Sequence, residues 1–153
     1  MEAKELLSRG VVDCVVREHL ETRLASGEKL NVKLGIDPTG AQLHLGNAIP
    51  LRKLRDFARA GHRVVFIIGD FTARVGDPAD QSAERKAMTE ETIRSNMADW
   101  IEQVRPILGE AGKDFELRYN SEWLEEFDAV DMLKLLSSAT VQQVIQRDDF
   151  KQR

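Results

Sequence analysis

A continuous apolar run at residues 64–68 constrains the fold of this chain more than any other feature. Five consecutive aliphatic or aromatic residues are typical of a strand that is buried on both faces of a parallel sheet. The alternating segment 30–36 predicts an earlier strand, and Leu51, Leu54 and Phe57 give the intervening segment the apolar stripe of a helix. A strand, a helix and a strand within about forty residues predict a right-handed parallel unit.

The remaining segments continue this alternation of helices and strands. Apolar residues at helical spacing predict one amphipathic helix over residues 4–25, with Gly10 as its weak point. Thr89 followed by two acids predicts the start of a helix that extends to about Leu108. A third strand is predicted at 115–119, followed by helical segments that begin at Ser121, Asp128 and Val141. Because there is no repeat and no Pro-rich linker, the sequence predicts a single α/β unit.

Composition and charge narrow the class of protein. The chain has 153 residues, is 42% hydrophobic and carries a net charge of −4, which is typical of one soluble globular domain. Residues 1–76 hold 12 basic and 9 acidic side chains, whereas residues 77–153 hold 10 and 17, so a polyanion is expected to approach the first half. A single cysteine, Cys14, and the lack of a long apolar stretch predict a cytoplasmic protein that is not in a membrane.

The first loop of chemical interest joins the strand at 30–36 to the following helix. Pro50 is tolerated in the first turn of a helix, so the helix is expected to start just before it, with Asn47 as the N-cap. His44 and Gly46 then lie at the positive end of a helix dipole, where free amide groups and an imidazole can bind a phosphate. A simple turn followed by a cap is the alternative, and the preceding Asp-Pro-Thr favours the phosphate site.

The second loop follows the apolar strand and spans residues 69–78. It contains Asp70 and Asp77 together with two glycines, a combination that can hold an ammonium group or a ribose. An Asp-Pro pair is also an ordinary turn former, so these residues alone leave both interpretations open. No cluster of Cys and His residues has the spacing of a zinc site, and no metal site is predicted.

Together these loops resemble those of the bacterial tyrosyl-tRNA synthetases, a class I aminoacyl-tRNA synthetase family. The similar segments, in order, are 32–39 (Val-Lys-Leu-Gly-Ile-Asp-Pro-Thr), 43–46 (Leu-His-Leu-Gly), 69–78 (Gly-Asp-Phe-Thr-Ala-Arg-Val-Gly-Asp-Pro), 89–91 with Asn96, 120–123 and 147–150. The resemblance implies a Rossmann-type parallel sheet with flanking helices, incomplete and equal to the first half of the catalytic domain. It divides the chain into an N-terminal helical segment, 1–29, and a partial catalytic domain, 30–153, in which 121–153 leads toward the connective region of the family.

The resemblance also implies a reaction. Tyrosine would be activated with ATP, accompanied by Mg²⁺, to give tyrosyl-adenylate and pyrophosphate, and the tyrosyl group would then pass to tRNA(Tyr). No tightly bound cofactor is expected. His44 matches the first histidine of the family's His-x-Gly-His signature and Asn47 stands at the position of the second, so both are expected to be catalytic. Lys33 and Asp77 are expected at the tyrosine, and Arg85 is expected to supply positive charge in the loop that grips pyrophosphate. The expected ATP-binding residues are Gly35, Asp37, Thr39, His44, Gly46 and Asn47.

Other family elements do not occur before Arg153, namely the Lys-Met-Ser-Lys-Ser loop, the second half of the tyrosine pocket and the anticodon-binding domain. The chain is therefore expected not to perform the full reaction alone. A half sheet would expose a strand edge, which predicts a homodimer or self-association. Two other hypotheses are a noncatalytic nucleotide-binding module derived from a synthetase and a nucleotidyltransferase similar to pantetheine-phosphate adenylyltransferase.

Two further features have modest interpretations. The segment Arg52-Lys53-Leu54-Arg55 predicts a charged, solvated helix face, with attraction of tRNA as the alternative. Trp100 and Trp123 lie at helix positions suited to core packing.

Overall fold

The fold is a three-stranded parallel sheet with helices, seen in a computed structural model that describes residues 3–74 and 88–146. The strands are β1 (Asn31–Ile36), β2 (Arg63–Ile68) and β3 (Glu116–Tyr119), and they lie in the order β1-β2-β3. The long connecting helices are α3 (Leu45–Arg59) and α4 (Glu90–Leu108). This confirms the predicted α/β class and the parallel strand–helix–strand unit.

The register brings the carboxyl ends of all three strands to one edge of the sheet. Ile36 pairs with Ile68, and Ile68 pairs with Tyr119 on its other side. Both connections run in the same direction across the sheet, so right-handed crossovers place α3 and α4 on the same face. The loops that leave β1, β2 and β3 therefore meet at the same edge, where ligands bind in open parallel sheets.

The core lies between one face of the sheet and the two long helices. Alternate residues of β2, namely Val64, Phe66 and Ile68, are buried against apolar side chains of the helices. Val65 and Ile67, which point to the opposite face, are only partly buried. The prediction of a strand buried on both faces is therefore wrong among the described residues, because both crossover helices cover the same side.

The N-terminal segment is two helices rather than one. Helices α1 (Ala3–Leu6) and α2 (Arg17–Ala25) are separated by ten residues without regular structure. Gly10 has a φ of 66° and Val16 a φ of 55°, and both lie in the left-handed region that interrupts a right-handed helix. Leu6 and Leu7 still reach the core, but Val15 and Val16 of the same apolar stripe are 82% and 69% exposed, so the helical spacing predicted burial correctly for only part of the segment.

Three short helices follow β3 at the predicted places: α5 (Ser121–Leu124), α6 (Ala129–Ser137) and α7 (Val141–Ile145). Asp128 caps α6 by accepting a hydrogen bond from the N–H of Asp131 at 2.9 Å. Trp123 on α5 is 39% exposed, which contradicts its expected core position. No helix found within residues 3–74 and 88–146 is long and apolar enough to cross a membrane.

Candidate functional site

A cavity of about 510 Å³ opens beside the carboxyl end of β1 and the N-terminus of α3. Five of the six expected ATP-binding residues line it, and the sixth, Gly46, lies in the first turn of α3 next to them. Trp100 from α4 forms part of the wall. The five lining residues from the expected set are Gly35, Asp37, Thr39, His44 and Asn47.

The N-terminus of α3 differs from the expected one. His44 is the N-cap, with extended backbone, and Asn47 is the third helical residue rather than the cap. The Oδ1 atom of Asn47 reaches back and accepts a hydrogen bond from the N–H of His44 at 3.2 Å. An Asn can cap a helix either as the N-cap residue or, as here, from the third helical position. Pro50 lies inside α3 rather than in its first turn, where the sequence predicts it.

Gly46 permits the imidazole of His44 to lie against the first turn of α3. A Cβ atom on Gly46 would approach the Cε1 atom of His44 to 2.8 Å and its Nδ1 atom to 2.9 Å, closer than side chains pack. Leu45 and Gly46 occupy the first two helical positions, whose N–H groups have no acceptor within a helix. The exposed imidazole and these amides therefore offer donors to an anion at the positive end of α3.

Helix α4 holds the loop between β1 and α3 through side chains that bind its backbone. Asn96 Nδ2 donates to the carbonyl of Pro38 at 3.0 Å, and Trp100 Nε1 donates to the carbonyl of Gly40 at 2.6 Å. Gln103 makes two more bonds, donating to the carbonyl of Ala41 at 2.8 Å and accepting from the N–H of Leu43 at 2.9 Å. The three side chains lie on one face of α4, since they are spaced four and then three residues apart.

Sequence reasoning missed the role of this helix face, which we call the α4 clamp: Asn96, Trp100 and Gln103. Trp100 was expected in the core and is indeed 3% exposed, but its indole N–H serves the loop. Asn96 is also buried, at 6% exposure. The available signal was three hydrogen-bonding side chains at the spacing of one helix face, without any indication of their distant partners.

The carboxylate of Asp37 is tied to the ends of the other two strands. Thr72, which follows β2, donates from Oγ1 to Asp37 Oδ1 at 2.7 Å. Asn120, which follows β3, donates from Nδ2 to Thr72 Oγ1 at 2.8 Å and accepts from the N–H of Phe71 at 2.9 Å. A Cβ atom on Gly69 would collide with the Asp37 carboxylate, so glycine is required there for this arrangement.

In the second predicted loop, the described residues make contacts that stabilise the fold. Asp70 accepts hydrogen bonds from the N–H of Ser121 at 3.0 Å and from its Oγ atom at 2.6 Å, so this carboxylate secures the start of α5. Burial, followed by the charges of Asp70 and Glu122, raises the pKa of the neighbouring Tyr119. Asp77 and Arg85, expected at the tyrosine and the pyrophosphate, lie outside the described residues.

Lys33 is not brought into the cavity. It is exposed on β1, two residues before Gly35 and therefore on the same face of the strand, but it does not line the cavity that Gly35 lines. Its role at a tyrosine stays a prediction.

A second cavity, of about 640 Å³, lies at the amino ends of the strands and is lined by Lys29, His62, Lys113 and neighbouring residues. The Nδ1 atom of His62 accepts a hydrogen bond from the N–H of Leu30 at 3.3 Å. Burial, with the charge of Lys29 as a smaller cause, lowers the pKa of His62. Although this cavity is larger, it lies at the end of the sheet opposite the loops that meet beyond the strands.

Comparison with known proteins decides the family. The model for "tRNA synthetases class I (W and Y)" matches residues 25–153. The chain belongs to this family. It is 46% identical over 152 residues to the tyrosine–tRNA ligase of Deinococcus radiodurans, a match that covers 99% of this chain and 37% of that enzyme. It is 50% identical over 138 residues to the tyrosine–tRNA ligase of Trichormus variabilis, covering 89% and 35%.

Solved synthetase structures share the fold. A C-terminally truncated mitochondrial tyrosyl-tRNA synthetase from Aspergillus nidulans superposes with a TM-score of 0.79 at 22% identity, covering 97% of this chain and 46% of the other. A tyrosyl-tRNA synthetase from Archaeoglobus fulgidus complexed with L-tyrosine gives 0.70 at 25% identity, covering 90% and 40%. The predicted partial Rossmann-type fold is thereby confirmed.

The chain spans between a third and two fifths of the length of the curated relatives it matches. It therefore corresponds to part of the length of these tyrosine–tRNA ligases. These matches support the synthetase hypothesis and give no support to the nucleotidyltransferase alternative.

The α4 clamp predicts a specific cost for removing one indole donor. Trp100→Phe should lower the free energy of unfolding by about 1–3 kcal/mol, because the Gly40 carbonyl loses its partner and the smaller ring leaves space. Trp123→Phe, on an exposed residue of α5, is the matched control and should cost less than about 1 kcal/mol. Urea denaturation measures both, and equal losses would contradict the clamp.

Proposed function

We propose that the cavity beside α3 binds ATP and that the complete protein uses it to activate tyrosine as tyrosyl-adenylate before transfer to tRNA(Tyr). One observation carries the proposal: Gly35, Asp37, Thr39, His44 and Asn47, all expected at ATP, line a single cavity. Membership of the synthetase family supplies the reaction. The chain covers only part of its relatives' length, and the residues that it contributes to this proposal are those of the nucleotide side of the site.

The charge distribution around the cavity favours phosphates. The amides at the N-terminus of α3 and the imidazole of His44 present donors on one side, where the helix dipole is positive. In this proposal they hold the ATP phosphates so that the carboxylate of tyrosine can attack the α-phosphate in line. Catalysis then comes from positioning and from stabilising charge on the phosphates, and it needs no covalent bond to the enzyme.

The remaining residue assignments belong to the same proposal. Asp77 would bind the amino group of tyrosine, with Lys33 nearby, and Arg85 would contact pyrophosphate. Mg²⁺ would enter with the ATP phosphates, as is usual for this ion, and Asp37 is the carboxylate that lines the described part of the cavity. Asp37 already accepts a hydrogen bond from Thr72, so it has limited capacity to bind a metal ion. A single carboxylate of this kind fits an Mg²⁺ ion that is held mainly by the phosphates of the substrate.

Calorimetry with ATP tests the proposed site. The wild-type chain should bind ATP, and His44→Ala should weaken binding about tenfold because a phosphate loses its imidazole donor. His19→Ala changes an exposed histidine on α2 and should leave the affinity unchanged. If the wild-type chain gives no heat with millimolar ATP, or if both variants bind as tightly as it does, the proposal is wrong.

We also propose that the protein is cytoplasmic and that it self-associates. In this proposal residues 1–29 form an N-terminal helical segment and residues 30–153 form the partial catalytic domain. The observations behind self-association are the edge of β1, which pairs with β2 alone among the described strands, and an apolar surface on α6. That surface comprises Val130, Met132, Leu133, Leu135 and Leu136, each between 48% and 67% exposed.

Sedimentation velocity at increasing concentration measures this association. Leu133→Glu should shift the protein toward the monomer, because it places a charge within the apolar surface of α6. Val12→Glu, at a fully exposed residue outside that surface, is the control and should leave the distribution unchanged. A wild-type chain that stays monomeric at every concentration contradicts self-association.

A further inference from the structure

A basic groove of about 490 Å³ runs along the outer face of α3 and is separate from the ATP cavity. Arg9, which follows α1, lines it together with residues of α3. Its charged residues are Arg9, Arg52, Lys53, Arg55, Arg59 and a single acid, Asp56. Five cations against one carboxylate make it a strongly positive surface within the half of the chain whose net charge is positive.

Three of the five cations have an acidic neighbour, and each of these pairs is long. Lys53 and Arg55 share Asp56, each at 3.9 Å, and Arg9 lies 3.8 Å from Glu5. These distances are at the outer limit of an ion pair, and Lys53 Nζ also donates a hydrogen bond to the carbonyl of Leu6 at 3.1 Å. Across residues 3–74 and 88–146, no ion pair involves Arg52 or Arg59, and both are exposed. The groove therefore retains most of its positive charge for a ligand.

Arg55 adds an unused hydrogen-bond donor. Its Nε–H is buried and has no acceptor within the described part of the chain. Buried donors of this kind are rare in folded proteins and call for an explanation, because leaving one unpaired costs free energy. Because the Nε atom is closed to solvent, the Arg55 side chain would have to turn toward the groove for an anionic oxygen to supply this acceptor.

The spacing of the arginines suits a linear polyanion. Arg52, Arg55 and Arg59 follow one another at three and four residues, so they lie along one face of α3 over about 10 Å. Guanidinium groups bind phosphates with two parallel hydrogen bonds, which lysine does not do. Four of the five cations are arginines, so the groove matches a row of phosphates better than a single carboxylate.

We propose that the basic groove binds the phosphate backbone of an RNA strand. The identity of the polyanion rests on the proposed function, since a synthetase has RNA as its second substrate. Arg52 lies five residues from Asn47, which is about 8 Å along the helix axis, so RNA in the groove runs beside the helix that frames the ATP cavity. The groove positions RNA and takes no part in adenylate formation.

Fluorescence anisotropy with a labelled RNA hairpin that ends in a single-stranded 3′ tail tests the groove. Arg52→Ala combined with Arg59→Ala should weaken binding about tenfold or more. Between about 50 and 200 mM salt, this double variant should also show a less steep dependence of log K on log salt, by about 1.4–1.8, because two phosphate contacts are lost. Arg52→Lys with Arg59→Lys keeps the charges and should restore most of the salt dependence but only part of the affinity.

The control removes the same charge elsewhere. Arg94→Ala with Lys134→Ala changes two exposed cations outside the groove and should weaken RNA binding less than twofold. An equal loss in both double variants, or no loss in the groove variant, would overturn the proposal. Polyglutamate is the competitor to compare with unlabelled RNA. If it displaces the labelled hairpin equally strongly, the groove binds an acidic peptide and the RNA proposal is overturned.

Measuring ATP affinity on the same variants separates this inference from the proposed function. The groove variant should bind ATP as the wild type does, which also shows that it is folded. A wild-type chain that binds RNA through the groove but binds no ATP would contradict the proposed function and leave the groove standing. A chain that binds ATP but shows no groove-dependent RNA binding would overturn only the inference made here about the groove.

Discussion

The hydrogen bonds from α4 to the loop after β1 are the interaction on which the candidate site depends. The backbone carbonyls of Pro38, Gly40 and Ala41 in this loop receive donors from the side chains of one helix face. Asn96 and Trp100 are almost fully buried, so losing either bond would leave an unpaired polar group. This requirement fixes the loop that carries the residues proposed to bind ATP.

The position of α3 follows from that loop. Once its backbone is held, His44 becomes the N-cap, Asn47 closes the first turn, and the positive end of the helix faces the cavity. Asp37 is held separately, through Thr72 and Asn120, by the segments that follow β2 and β3. The site is therefore joined to all three described strands, which explains why it forms at the edge where their carboxyl ends meet.

Sequence periodicity predicted the strands and the long helices, because these depend on local pattern. The five residues that line the cavity were expected from the resemblance to the synthetase family, and for His44 and Asn47 also from the order of strand, loop and helix. Sequence reasoning misplaced the start of α3, since Asn47 satisfies the capping rule from two positions. It also missed the α4 clamp. Trp100 and Gly40 are 60 residues apart, and no local rule links an indole N–H to a carbonyl at that distance. The sequence also failed to predict that only one face of β2 is buried by the helices. That outcome depends on the order of the strands and the handedness of the crossovers, and the composition of β2 does not report it.

The most direct measurement of the central claim is an NMR titration of the chain with ATP, followed through backbone amides and the indole N–H of Trp100. We expect the largest chemical-shift changes between Gly35 and Asn47 and at that indole, because the clamped loop and the first turn of α3 are proposed to bind the nucleotide. Largest changes at Lys29, His62 and Lys113, around the cavity at the opposite end of the sheet, would contradict it.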